Sequence, residues 1–116
     1  MFGPGSMAEV PVHGPVAALG GRAVLGTLDR LVVAEDVVHV VDFKSGRPGE
    51  VVPLPYRRQL ALYREALADI FPDRKIAAHL VWIDANRAER VGADALDEAL
   101  SGMLADGTLE VPARRS

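Results

Sequence analysis

Residues 26–48, GTLDRLVVAEDVVHVVDFKSGRP, set three charges among apolar neighbours: Asp29 in one hydrophobic run, and Asp42 with Lys44 in the next. Two carboxylates held close in partly apolar surroundings repel each other and lose hydration, so such a site needs compensation. They can share a proton, be neutralised by the lysine, or hold a divalent cation. With no cysteine in the chain and 3 histidines, an oxygen donor set of this kind selects magnesium, manganese or calcium over zinc.

The elements that must bring these residues together are two strands. Residues 22–34 and 37–43 are rich in Val and Leu, and Glu35-Asp36 forms a polar break short enough for an antiparallel hairpin. If Ala34 pairs with Val37, Asp29 falls opposite Asp42 and Thr27 opposite Lys44. Directly opposed Cβ atoms are roughly 4.5–5.5 Å apart on one face. Alternation puts Asp42 and Lys44 with Val38 and Val40, and Asp29 with Leu25, Leu31 and Val33. A one-residue slip, or pairing of Asp29 with Arg22 or Arg30, would leave a carboxylate in solvent, as for most isolated Asp residues. The combination of Asp opposite Asp-x-Lys argues against that.

Elsewhere, residues 8–12 are a short extended segment, 13–21 a Gly- and Pro-containing connection, and 45–55 a loop. Leu60, Tyr63, Leu67 and Ile70 have helical spacing over 56–70, with Pro72 beyond the end. Residues 75–84 suggest a further strand, and 93–107 an amphipathic helix ending at a glycine. The order β, ββ, α, β, α predicts an α/β domain of mixed α+β type, a mixed sheet flanked by helices. Its 116 residues suit one core. Residues 1–7, MFGPGSM, read as an expression scar, leaving a single domain over 8–116. No apolar run has the length of a membrane span and no signal peptide opens the chain, so a cytoplasmic location is expected. The net charge of −3 excludes nucleic-acid binding by a general basic surface alone.

In this order, GTLDRLVV, then VVDFKSGRP, then RRQLALY on a helix resemble the RecB-like branch of the PD-(D/E)xK nucleases. Within it the chain looks most like the C-terminal nuclease domain of the bacterial AddA helicase-nuclease subunit. The resemblance runs from about Ala8 to Trp82 and implies a restriction-endonuclease-like sheet. It implies a Mg2+-dependent deoxyribonuclease, with Mn2+ an alternative ion, acting in double-strand-break repair and recombination. Asp29 and Asp42 correspond to metal ligands, Phe43 to a ligand through its backbone carbonyl, and Glu9 to a third acidic candidate. Lys44 would orient or help deprotonate the attacking water. Gln59 and Tyr63, four apart and stacked on one helical face, correspond to the family's Q-x-x-x-Y and would face the site. The implied partners are single-stranded DNA ends, the helicase portion of a parent chain and a second helicase-nuclease subunit in a bacterial cytoplasm.

The chain also departs from that pattern. The family's upstream helices and histidine motif are not seen before Glu9, so the sequence reads as a fragment with a truncated core, of weak activity or none by itself. It has no phosphate-binding GxxxxGK[ST] and no cysteines for an iron–sulfur cluster, and Ser45 stands where threonine is common. His13, His39 and His79 have no partner motif, and none is assigned to catalysis. The alternatives are a catalytically silent DNA-binding or scaffolding module of the same fold, and an unrelated calcium- or magnesium-binding structural domain. Neither accounts as well for the intact Asp29, Asp42 and Lys44.

Overall fold

The computed structural model describes residues 6–15 and 23–106. Three strands come first: β1 (Ser6–Pro15), β2 (Ala23–Val33) and β3 (Val37–Lys44). Helix α1 (Leu54–Ile70), strands β4 (Lys75–Trp82) and β5 (Arg87–Val91), and helix α2 (Ala93–Asp106) follow. The five strands form one sheet in sequential order, antiparallel except for the β3–β4 pair. This is the expected mixed α+β architecture. Among the described residues no helix is long and apolar enough to cross a membrane.

Helix α1 packs on the sheet and α2 packs on α1. Because α1 is covered on both sides, residues Gln59 to Tyr63 are all buried in succession, where a helix with one wet face would alternate. Leu60, Leu62 and Leu67 of α1 join Leu31, Val38, Val40, Ala78, Leu80 and Trp82 from the sheet and Leu96 and Met103 from α2 in one core. At roughly 2–5 kcal/mol for each buried leucine truncated to alanine, this layer dominates the stability. Pro55 in the first turn suits a position whose N–H has no helical partner. At the other end Phe71 N–H closes back on Leu67 O at 2.8 Å just before Pro72.

Two elements differ from the sequence reading. Strand β1 is longer than residues 8–12: Ser6 and Met7 pair with Val32 and Leu31, and His13 to Pro15, expected in a connection, pair with Leu25 to Ala23. The rest of that connection, residues 16–21, lies outside the described residues, as do Arg22 of the next expected strand and the glycine expected to end α2. Strand β5 was not anticipated. Arg87, Glu89 and Arg90 hide its strand character, and it forms because the edge of β4 offers backbone partners across a turn in which Asn86 adopts φ +49.

The hairpin has the expected register. Ala34 N–H bonds Val37 O at 2.9 Å, and Val33–Val38, Leu31–Val40 and Arg30–Val41 are paired. The ladder stops there, however, and neither the expected Asp29–Asp42 nor the expected Thr27–Lys44 opposition forms; Thr27 pairs only with Pro11 of β1. The cause is a change of face. Leu31 packs in the core with Val40, yet Leu28 is also in that core and a Cβ on Gly26 would point at Tyr63 of α1. Strict alternation allows only one of these two sets. The switch falls at Asp29, whose β1 neighbour Glu9 has a left-handed φ of +52 and is skipped in the pairing between Ala8–Arg30 and Val10–Leu28.

Candidate active site

Where β2 parts from β3, the backbone N–H of Phe43 has lost its strand partner, and an unpaired amide of this kind is costly. The Asp29 carboxylate takes its place, accepting from Phe43 N at 2.8 Å. That bond fixes Asp29 beside Asp42, close enough for its carboxyl to act on the protonation of Asp42. The face switch therefore does not separate the expected pair; it frees Asp29 from the ladder to meet Asp42.

Asp42 is 3% exposed and Lys44 2% exposed. Two residues apart on β3, they point the same way, and Lys44 Nζ lies 2.8 Å from Asp42 Oδ2. Burial pushes the Asp42 carboxyl up to about 7, the bond to Asp29 and its charge adding to the rise while Lys44 opposes it. At neutral pH this group is therefore poised between a proton and a cation.

Lys44 Nζ also donates to Gln59 Oε1 at 3.3 Å, Gln59 Nε2 approaches the Tyr63 hydroxyl at 3.5 Å, and that hydroxyl reaches Thr27 O at 3.5 Å. The helical stacking of Gln59 over Tyr63 thus points a polar strip at the sheet, as expected. Burial raises the Tyr63 phenol above its ordinary value, so it stays a neutral hydrogen-bonding group. The loop after Lys44 is tied down by Gly46, at φ +87, whose N–H bonds Asp84 Oδ2 at 2.8 Å.

The expected residues divide clearly. Asp29, Asp42, Lys44, Gln59 and Tyr63 converge, and Phe43 enters through its amide. Glu9 does not join them: its side chain is exposed, and among the described residues no group of three or more His, Asp or Glu gathers as a metal site. Two contributors escaped the sequence. Gly26 makes room for Tyr63, and Tyr56 lays its ring against Lys44 Nζ, 4.2 Å from the centroid. A strand glycine signals close backbone approach, which is the one hint the sequence held for Gly26.

The donor set fits a hard divalent ion. Two carboxyl groups meet, and Asp42 Oδ2, although within ion-pair range of Lys44, is buried without a directed hydrogen bond. A site with two protein carboxylates suits magnesium, which commonly keeps several waters. On the opposite face of the sheet, His39 Nδ1 and His79 Nε2 lie 2.9 Å apart.

A family model, the PD-(D/E)XK nuclease superfamily, matches residues 4–111. A solved structure described as "Crystal structure of SSO0001" aligns with a TM-score of 0.48 and 17% identity. The alignment covers 89% of this chain and 50% of that one, so this chain spans half of that protein's length. No curated protein matches the sequence.

Proposed function

The chain belongs to the PD-(D/E)XK nuclease superfamily, and from that premise we propose that it is a divalent-metal-dependent deoxyribonuclease domain. The observation that carries this reading is the buried Asp42 with Lys44 Nζ 2.8 Å away and Asp29 tied beside it through Phe43 N–H. Asp29, Asp42 and the Phe43 carbonyl would hold magnesium or manganese. When bound, the ion supplies charge stabilisation at the phosphoryl oxygens and lowers the pKa of a water nucleophile.

The chain's own residues supply the rest. Asp29 is oriented by Phe43 N–H, which fixes the direction of its carboxylate. Lys44, held by Asp42 and Gln59, presents a buried positive charge where a phosphodiester gains negative charge, and it stands where it can orient or exchange a proton with an attacking water. Gln59 and Tyr63 keep that ammonium from swinging away. Burial of these groups excludes bulk water and strengthens each electrostatic contact.

The finer setting follows from the motif resemblance. We place the domain in an AddA-like helicase-nuclease of the bacterial cytoplasm, cutting single-stranded DNA delivered by a motor during double-strand-break repair, beside a second subunit. The test is cleavage of labelled single-stranded DNA with magnesium, manganese or EDTA, by the chain and by its parent, next to Asp42→Ala and Lys44→Ala. Metal-dependent cleavage lost in both variants is expected; cleavage that survives either substitution overturns the assignment.

A further inference from the structure

We infer that Tyr56, which lies outside the recognised motif, is a positioning residue: its aromatic face is the third contact that holds the Lys44 ammonium against the Asp42 carboxylate. This rests on the reading of Lys44 as the group that acts at the attacking water.

An ammonium carries three N–H donors. Two directions on Lys44 are taken, by Asp42 Oδ2 at 2.8 Å and Gln59 Oε1 at 3.3 Å. The nitrogen also lies over the Tyr56 ring, 4.2 Å from its centroid, within the roughly 6 Å over which a cation is drawn to a ring face. Lysine is a flexible side chain with a freely rotating head, so each added contact restrains it further. The ring closes that freedom and gives the buried charge a favourable neighbour in place of water.

Tyr56 is itself held in place. Its ring packs on Trp82, centroids 6.0 Å apart at 52°. Trp82 is the β4 partner of Lys44 and donates its indole N–H to Glu89 Oε2 at 2.6 Å. Glu89 of β5, Trp82 of β4 and Tyr56 of α1 thus form a connected backing that ends on Lys44. A mere filler at position 56 would be replaceable by any apolar group of similar size. A positioning ring is replaceable only by another ring.

The test compares Tyr56→Phe with Tyr56→Leu in single-turnover cleavage of single-stranded DNA, in DNA affinity, and in the NMR shift of the Lys44 ε-protons, assigned by their loss in Lys44→Gln. The expected result is a Phe variant within about two-fold of the parent residue. The Leu variant should cleave roughly ten-fold more slowly, with DNA affinity unchanged. The ε-protons should be shifted upfield by the ring with Tyr or Phe, and lose that shift with Leu. A folded Leu variant that cleaves at the parent rate, or ε-protons at ordinary lysine positions in the parent, overturns the inference. If the parent fails to cleave with any divalent ion, the nuclease reading falls, while the ring-induced shift still decides whether Tyr56 holds Lys44.

Discussion

The hydroxyl oxygen of Tyr63 lies 2.5 Å from the point where a Cβ on Gly26 would stand. The ring atoms behind it are nearly as close, and Tyr63 is 2% exposed, so it has little room to withdraw. Gly26→Ala is expected to cost about 1–3 kcal/mol in urea unfolding and to slow cleavage by displacing the Tyr63–Gln59–Lys44 strip. In a Tyr63→Leu background the same substitution should cost much less, a coupling that a double-mutant cycle measures.

Removing the ammonium leaves two carboxyl groups facing each other without a cation. Lys44→Met is expected to abolish cleavage and, in EDTA at neutral pH, to destabilise the fold by about 3 kcal/mol. A divalent ion that binds only the folded state should recover part of that loss in thermal melts. A variant equally stable with and without the ion would refute the carboxylate pair as its seat.

The pH dependence has a definite sign. Asp42 rises from 3.8 to about 7 on folding, so between these values the folded chain binds more protons than the unfolded one. Stability is then fully present below pH 4 for this group and is lost as pH climbs through 7, by on the order of a few kcal/mol. Burial lowers His79, with His39 and Arg90 adding to the effect, and this acts oppositely: its protonation below 6.5 costs stability. Unfolding of His79→Leu in EDTA should therefore show a steeper fall from pH 5 to 8, and Asp42→Asn should remove that fall.

Glu9 has a left-handed backbone that a side chain tolerates poorly. Glu9→Gly is expected to keep both stability and cleavage within about two-fold of the parent, while Glu9→Val loses about 1–2 kcal/mol. Cleavage that collapses in Glu9→Gly would restore the glutamate to the metal site.

Much of this was legible in the sequence for a physical reason. A two-residue break between apolar runs leaves few registers, so the pairing from Val33–Val38 to Arg30–Val41 followed from Ala34 and Val37, and it carried Asp29 to the neighbourhood of Asp42. Helical spacing placed Gln59 over Tyr63. What escaped depends on contacts distant in sequence. The face switch at Asp29 arises with the left-handed Glu9 in a neighbouring strand, and local alternation cannot foresee it. Strand β5 exists because β4 has an open edge, and its own residues favour water. Tyr56 and Gly26 gain their roles only when α1 lies on the sheet, since each acts on a residue 12 or more positions away.

The sequential strand order bears on how the molecule folds. Adjacent strands are joined by hairpins except β3 and β4, which meet only after the chain has run through α1. That crossover is the longest described loop to be closed and so the slowest described pairing to nucleate. Asp42 and Lys44 lie at its entry, with Gln59 and Tyr63 within it. Closing the crossover is therefore expected to bring Gln59 and Tyr63 to Lys44 in the same step that pairs β3 with β4.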